Sequence, residues 1–397
     1  TDDWEQRKLS DLVQIERGGS PRPIDDYITD SSNGLNWIKI GDAPAQGNYI
    51  TKTAEKIRPE GLSKTREVHP GDLILSNSMS FGKPYIMGIY GCIHDGWLLI
   101  RNTYNFFDLI FLCHLLGTPQ MLNQYRSLAA GSTVNNLNKE LVGNTVVTIP
   151  NIYEQRVIGQ YSEHLDHLIT LHQRKLEKLK IIKKAMLENC FPKNGEKVPK
   201  FRFSGFTGDW EQRKLGEVFD KVTEKNSGLQ YLETLTNSAE YGIISQRDFF
   251  DHDISKTTSL GGYYIVRSED FVYNPRISVT APVGPINRNK LGRTGVMSPL
   301  YTVFRPHNVD TTYLEYFFKS SCWHSFMNFN GDSGARSDRF SIKDNVFFEM
   351  PIPTPDIEEQ GKIGECLTRL DHLITLHQRK LEKLKIIKKS FLEKMFV

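Results

Sequence analysis

Residues 165–184 read LDHLITLHQRKLEKLKIIKK, and residues 370–389 repeat this stretch without one substitution. The apolar residues recur in steps of three and four, which places them along one side of an α-helix. An average spacing of about 3.5 residues is typical of helices that pair with one another. The residues predicted to form the pairing surface are Leu165, Leu168, His172, Leu176 and Leu179 in the first copy, and Leu370, Leu373, His377, Leu381 and Leu384 in the second.

The duplication extends beyond the helix and divides the chain into two halves. WEQRKL occurs at residues 4–9 and 210–215, and the related stretches EQRVIGQ and EQGKIGE begin at Glu154 and Glu359. A helix of roughly 40 residues, about 60 Å long, is predicted at the end of each half. We predict two pseudo-symmetric halves whose long helices pair as an antiparallel coiled coil, as equivalent elements do around a two-fold axis.

Between the repeated segments the two halves share little identity. Short β-branched and aromatic runs, such as GWLLIRNT at 96–103 and SPLYTVFRP at 298–306, are broken by Gly, Pro and Asn and predict strands. A helical stretch follows in each half. The predicted class is therefore α+β. The predicted segments are a variable domain at 1–150, a helical spacer at 151–200, a variable domain at 201–355 and a second helical spacer at 356–397.

The residues before the second half have no counterpart before the first. KVPKFRFSGFTGD, residues 197–209, lies directly before the second WEQRKL segment, whereas only three residues precede the first. We therefore expect the natural chain to carry an upstream segment that resembles residues 199–206.

Composition excludes several classes of protein. With 397 residues, 39% hydrophobic and 24% charged, the chain is expected to fold into more than one globular domain. It has no uninterrupted apolar run of the roughly 18 residues that span a membrane, and no signal-peptide pattern, so we predict a cytoplasmic protein without a membrane partner. Its five cysteines contain no CxxC pair and indicate neither a disulfide framework nor a zinc site.

No motif predicts a catalytic or cofactor site. Phosphate loops, dinucleotide fingerprints and the common hydrolase motifs do not occur. YNPR at residues 273–276 resembles the start of the NPPY-type motif of amino-methyltransferases, but Arg276 replaces the second proline and no cofactor-binding glycine motif precedes it. The net charge of +3 is too small to indicate a nucleic-acid partner by itself.

The helix histidines are the remaining candidates for metal ligands. His164, His167 and His172 are close enough along a helix to suggest a metal site, but Arg369 replaces the first of them in the second copy. We therefore predict no metal site. For His172 and His377 we favour a role in helix pairing, because a polar residue on such a surface specifies register.

Polar loops of the variable regions are the candidate ligand readers. They combine Arg and Lys with Asn and Ser, which are side chains that bind phosphates or base edges. The candidate DNA-binding residues of the first half are Ser20, Arg22, Lys39, Asn77, Ser78, Ser80, Lys83, Asn135, Asn136 and Lys139. Those of the second half are Lys225, Asn226, Arg247, Arg276, Ser278, Arg288, Arg336, Ser337 and Arg339.

The combination of these features resembles the specificity subunit of a type I restriction-modification system. The shared features are the duplicated helix, WEQRKL at the start of each half, GDLIL at residues 71–75, and the proline and EQ that precede each helix. The resemblance covers essentially the whole chain and is closest to staphylococcal-type members. It implies that residues 1–150 and 201–355 are target recognition domains, each reading one part of a bipartite, asymmetric DNA target, and that the helices are spacers.

The resemblance also implies the partners. The chain itself would have no enzymatic activity and no bound cofactor. Two methyltransferase subunits would bind it and methylate adenine with S-adenosylmethionine, and two restriction subunits would bind through them and use ATP and Mg²⁺. Two alternatives stay open at this point. One is a self-contained DNA methyltransferase, and the other is a coiled-coil adaptor that does not read DNA.

Overall fold

The computed structural model describes residues 4–77, 81–130, 136–193, 195–250, 257–333 and 338–396. The chain is mixed α and β and divides into two compact units. The first comprises Thr1–Leu176 and His377–Val397, and the second comprises Glu177–Leu376. Within the described ranges no helix combines the length and the apolar composition needed to cross a membrane.

The first unit is built mainly from short strands. Its strands are β1 (Glu5–Lys8), β2 (Gln14–Arg17), β3 (Leu35–Ile38), β4 (Tyr49–Ile50), β5 (Glu55–Ile57), β6 (Arg66–Val68), β7 (Leu73–Ser76), β8 (Pro84–Met87), β9 (Gly91–Ile93), β10 (Trp97–Arg101) and β11 (Val146–Ile149). Its helices are α1 (Leu109–Leu116), α2 (Pro119–Ala130), α3 (Lys139–Gly143), the first part of α4 (Ile152–Asn189) and, from His377 onward, the last part of the C-terminal helix. The strands form sheets in the orders β2-β10-β7-β8-β4, β5-β3-β9-β6 and β1-β11.

The second unit follows the same plan. Its strands are β12 (Glu211–Lys214), β13 (Phe219–Lys221), β14 (Leu235–Ser238), β15 (Gly242–Ser245), β16 (Tyr264–Val266), β17 (Phe271–Tyr273), β18 (Ile286–Arg288), β19 (Gly295–Met297), β20 (Thr302–Pro306) and β21 (Pro351–Thr354). Its helices are the last part of α4, from Glu177 onward, α5 (Leu215–Val218), α6 (Gln246–Phe250), α7 (Thr311–Lys319), α8 (His324–Asn330), α9 (Asp344–Phe347) and the first part of α10 (Ile357–Met395).

The two units share one strand topology despite their unlike sequences. The order β2-β10-β7-β8 in the first unit corresponds to β13-β20-β17-β18 in the second. The parallel pairing of β3 with β9 corresponds to a parallel bridge between Thr234 and Val296. Antiparallel pairing of β6 with β9 corresponds to that of β16 with β19. The variable regions are therefore two versions of one framework.

The repeated sequence segments meet one another in the fold. In the first unit β1, which carries EQRK, pairs with β11, and Trp4 Nε1 donates a hydrogen bond to Glu154 at the start of α4. In the second unit β12 pairs with β21, and Trp210 Nε1 donates to Glu359. In each unit the WEQRKL segment thus contacts the segment that begins at Glu154 or Glu359. We name this contact between strand and long helix the joint.

A glutamine completes each joint. Gln155 Nε2 donates to Pro150 O, and its Oε1 accepts from the backbone N–H of Asp108. Gln360 makes the equivalent bonds with Pro355 and Asp310. Asp108 and Asp310 in turn accept hydrogen bonds from the first turn of α1 and of α7, as N-cap residues do.

The two long helices have the predicted length. α4 has 38 residues and α10 has 39, which is about 57 Å at 1.5 Å per residue. All ten residues predicted for the pairing surface are at least partly buried. Ile182 and Ile387, which continue the same stripe, are 38% and 36% exposed. The apolar stripe is therefore less continuous at its C-terminal end than its spacing suggested.

The ends of the long helices lie in hydrophobic cores. Phe396, just beyond α10, is buried in the first unit, where its ring centroid lies 5.2 Å from that of Phe111. Phe191, just beyond α4, is buried in the second unit, 5.5 Å from the ring of Tyr313. Each core therefore includes a phenylalanine supplied by the helix of the other half of the sequence.

Candidate nucleic-acid interface

Two of the predicted loops of the first half meet at the turn between β9 and β10. Gly18 N donates to Trp97 O at 2.9 Å, and Gly19 N donates to Ile93 O at 3.2 Å. A Cβ atom at Gly18 would lie 2.2 Å from His94 O, so only glycine allows this close approach. The loop that follows β7 joins the same turn, because Asn77 N donates to Gly96 O.

The loop after β2 and the turn between β9 and β10 border a cavity of about 1030 Å³, which we name the first cleft. Its lining residues include Ser20, Pro21, Arg22, Asp25, Trp37, Lys39, Glu55, His94 and Asp95. Arg22 lies 3.9 Å from Asp95 and keeps 83% of its side chain exposed, and Lys39 forms an ion pair with Glu55. The Ser20 hydroxyl is buried and has no hydrogen-bond partner among the described residues. The first cleft thus offers both hydrogen-bond donors and carboxylate acceptors.

The remaining predictions of the first half lie in different surroundings. Asn77 is 3% exposed. Its side-chain amide donates to Asp95 O and its backbone carbonyl accepts from Leu137 N, so it joins loops instead of facing solvent. Lys83 Nζ lies 4.8 Å from the centre of the Tyr85 ring. Asn136 and Lys139 are exposed just before and at the start of α3. Ser78, Ser80 and Asn135 lie outside the described residues.

In the second half, two distant predicted loops form a short ribbon. Ile277 N donates to Asp338 O at 3.0 Å, and Phe340 N donates to Pro275 O at 2.7 Å. Arg276 and Arg339 are therefore antiparallel partners, and both are exposed.

The ribbon borders a cavity of about 340 Å³, which we name the second cleft. The candidate residues that line the second cleft are Arg276, Ser278 and Arg339. The lining also includes Asn237, Phe249, Phe250, Asn274, Leu300 and Tyr301. Among its described lining residues there is no Asp or Glu, in contrast to the first cleft.

The structure separates the other predicted residues of the second half from this cleft. Lys225 Nζ lies 3.5 Å from the centre of the Tyr264 ring, and Asn226 is 1% exposed, with its amide bonded to Tyr231 O. Arg247 is exposed on α6. Arg336 and Ser337 lie outside the described residues.

Arg288 differs most from its predicted surface position. Its side chain is 9% exposed, and its guanidinium bonds Glu315 at 2.5 Å and Glu269 at 3.0 Å. Burial alone would raise the pKa of Glu315, but Lys319, Arg288 and Lys290 lower it to about 2. Arg288 is therefore a member of an internal ion cluster, and it leaves the candidate set together with Asn77 and Asn226.

Several cleft residues had no signal in the sequence. The carboxylates Glu55 and Asp95 line the first cleft, and the rings of Phe249, Phe250 and Tyr301 line the second. Lone aromatic and acidic residues are common in any chain, so only their convergence identifies them. Within the described ranges, His, Cys, Asp and Glu side chains nowhere assemble in groups of three that could hold a metal ion.

Comparison with known proteins gives one consistent result. The sequence pattern of the family described as "Type I restriction modification DNA specificity domain" matches residues 1–181 and 207–386. The type I restriction enzyme MjaVIII specificity subunit of Methanocaldococcus jannaschii is 22% identical, over 98% of this chain and 91% of its own length.

Solved structures show the same fold at low identity. The crystal structure of the HsdS subunit from Thermoanaerobacter tengcongensis aligns with a TM-score of 0.51 at 18% identity, over 100% of this chain and 97% of that one. The type I restriction-modification S subunit from M. genitalium aligns with a TM-score of 0.53 at 13% identity, over 100% and 96% of the two chains. With one family match in each half, the chain belongs to the family of type I restriction-modification DNA specificity subunits.

Proposed function

We propose that the two halves of this DNA sequence-recognition subunit read two different parts of one bipartite target. The family is the non-catalytic specificity subunit of type I systems, which acts on DNA with methyltransferase and restriction subunits. The observation that carries the proposal is the contrast between the clefts. One strand topology supports a first cleft lined by cations and carboxylates and a second cleft whose described lining has arginines but no carboxylate. Unlike readers on equivalent frameworks would select an asymmetric sequence.

The readers in this proposal are the candidates that are exposed or partly exposed. They are Ser20, Arg22 and Lys39 at the first cleft, Arg276, Ser278 and Arg339 at the second, and Lys83, Asn136, Lys139, Lys225 and Arg247 outside the clefts. Residues 1–150 and 201–355 act as the recognition domains, and residues 151–200 and 356–397 as the spacers. Most affinity is expected from phosphate contacts and most specificity from base edges.

The helices pair in antiparallel orientation in this proposal. Asp166 forms an ion pair with Lys388 in the first unit, and Asp371 forms one with Lys183 at 2.5 Å in the second. Asp166 and Asp371 are equivalent residues of the repeat, as are Lys183 and Lys388, and each of these two sets is 205 positions apart. In the first unit the Nδ1 atoms of His172 and His377, also equivalent, lie 2.7 Å apart. Contacts between equivalent residues support a two-fold relation between α4 and α10.

The duplicated helices also provide two equivalent surfaces for partners. We propose that they bind two methyltransferase subunits, and through them two restriction subunits, in the cytoplasm. S-adenosylmethionine, ATP and Mg²⁺ belong to those partners in this proposal. The exposed lysines of the helices are better suited to partner or solvent contacts than to sequence reading, because identical elements cannot produce different specificities.

The decisive experiment replaces residues 10–145 by residues 216–350 of the same chain, so that both halves carry the second reader. Adenine methylation in cells that express the variant with its methyltransferase partner would be mapped by long-read sequencing. Antiparallel helices predict a target in which the second half-site occurs twice as an inverted repeat. Parallel helices would give a direct repeat, and retention of the original first half-site would refute the proposal.

The same experiment separates the alternative functions. An adaptor that does not read DNA would leave the methylation motif unchanged when its variable region is replaced. A self-contained methyltransferase would methylate DNA without its partner, and the isolated chain would bind S-adenosylmethionine in calorimetry. The proposed function predicts that neither result is observed.

A further inference from the structure

The two arginines at the second cleft lie opposite one another on adjacent strands. The hydrogen bonds from Ile277 N to Asp338 O and from Phe340 N to Pro275 O flank the pair on both sides. This pattern makes Arg276 and Arg339 a non-hydrogen-bonded pair, the type in which cross-strand side chains on one face approach most closely. Both guanidinium groups therefore extend from one face of the ribbon.

Like charges in this position are destabilising, and the chain does little to compensate them. Arg276 Nη2 lies 3.8 Å from Asp338 Oδ2, with 69% and 53% of the two side chains exposed, which is a weak surface ion pair. No described residue forms an ion pair with Arg339. Two neighbouring cations at a cleft without a described carboxylate in its lining indicate an electron-rich ligand from outside the chain.

The two asparagines that line the cleft are already engaged. The amide of Asn237 donates to Val272 O at 2.7 Å, and its carbonyl accepts from Asn287 Nδ2 at 2.7 Å. The amide of Asn274 donates to Asn237 O at 2.8 Å. These amides are thus satisfied within the chain, so Arg276 and Arg339 are the charged donors of the cleft toward a ligand.

We propose that Arg276 and Arg339 read a guanine in the DNA bound by the second half, an inference that rests on the proposed function. Guanine presents two acceptors, N7 and O6, on its major-groove edge, and arginine binds both at once. Adenine and cytosine present an amino donor there, which two arginines cannot accept. In the first cleft, Glu55 and Asp95 supply acceptors for such amino groups, which makes this signature specific to the second half.

The test uses the variants Arg276→Ala and Arg339→Ala in the full chain, assembled with its methyltransferase partner. Binding is measured on duplexes in which each base pair of the target is changed in turn. We expect discrimination to fall by roughly 5- to 150-fold at a G·C pair in the second half of the target, with the first half unaffected. Methylation mapped in cells should become degenerate at the same position.

Salt dependence distinguishes base reading from phosphate binding. If the arginines contact only the backbone, affinity falls equally for all sequences and the salt slope decreases by about one, which would overturn the inference. A wild-type second half-site without a G·C pair would also overturn it. Lys343→Gln removes an exposed charge of the second half that does not line the cleft, and should leave discrimination unchanged.

Failure of this inference and failure of the proposed function give different results. If Arg276 and Arg339 do not read a guanine, the wild-type complex still recognises both parts of a bipartite motif. Failure of the proposed function leaves no second half-site in the wild-type complex.

Discussion

At the scale of single residues, Glu359 shows why the joint sequence occurs in both halves. This carboxylate is fully buried, and it accepts hydrogen bonds from Arg202 Nε at 2.8 Å, Arg202 Nη2 at 2.9 Å and Trp210 Nε1 at 3.1 Å. A buried charge is tolerated when it is paired and fully hydrogen-bonded. Its counterpart Glu154 is partly buried and accepts from Trp4 at 3.3 Å.

We predict that Glu359→Gln destabilises the second unit by about 3 kcal/mol, because the Arg202 guanidinium loses its charged partner in a buried site. The matched control is Glu154→Gln, for which we expect less than about 1 kcal/mol, as for the loss of one partly exposed hydrogen bond. Hydrogen exchange during urea unfolding measures each unit separately. Equal effects of the two substitutions would contradict the prediction.

A second residue-scale prediction concerns the ion cluster around Glu315. The pKa of this carboxyl is lowered from 4.5 to about 2, chiefly by Lys319 acting against the effect of burial. A carboxyl whose pKa is lower in the folded state stabilises the protein above pH 4.5, and this contribution is lost as the pH falls toward 2.

The measurement is the stability of the second unit as a function of pH in the wild type and in Glu315→Gln. We expect the wild type to be the more stable at pH 6, and the difference to diminish steadily below pH 4.5. A difference that stays constant down to pH 3 would mean that the ion cluster does not set the stability of this unit.

At the scale of elements, each long helix stabilises the recognition region of the other half through its C-terminal end. Phe396 and Phe191 are equivalent residues of the repeat, and they are 3% and 0% exposed in the first and second units. Met186 and Leu187 also pack against the core of the second unit, as Phe391 and Leu392 pack against that of the first.

We predict that Phe396→Ala destabilises the first unit by about 3–5 kcal/mol and leaves the second nearly unchanged, although Phe396 belongs to the second repeat. Phe191→Ala should have the opposite selectivity, which makes each variant the control for the other. Residue-resolved hydrogen exchange would locate the loss. Destabilisation confined to each residue's own half would contradict this assignment of the cores.

At the scale of the whole molecule, each unit is completed by segments from both halves of the sequence and not by the covalent connection between the halves. Each unit contains segments from both sides of the loop near Gly195. Gly195 is exposed, its backbone φ is 82°, and a Cβ added there would meet no described atom within 4 Å. The covalent link should therefore be dispensable once the chain has folded.

We predict that a chain cleaved at a protease site inserted at Gly195 remains associated, because the first fragment supplies Phe191 to one core and the second supplies Phe396 to the other. Gel filtration before and after cleavage provides the measurement. As a control, the same cleaved protein carrying Phe191→Ala and Phe396→Ala should separate into fragments. Dissociation of the unsubstituted cleaved chain would show that the connection is needed.

Much of the fold was predictable because it depends on short-range spacing. The long helices follow from apolar steps of three and four residues, and the two-half organisation follows from repeats 205 or 206 positions apart. The candidate site was predictable only in part. Arg276 and Arg339 were named from residue type and loop context, but the same reasoning also named Asn77, Asn226 and Arg288, which are buried.

The sequence by itself therefore determined the helices, the duplication and the family, since periodicity and repeated motifs are properties of the chain read in order. Only the tertiary structure decided that Trp4 meets Glu154, that Phe396 completes the first core, and that Arg276 faces Arg339. The physical reason is that such contacts join residues far apart in the chain. Strand pairing sets their proximity, and the surroundings created by that pairing decide whether a polar side chain is buried or faces a ligand.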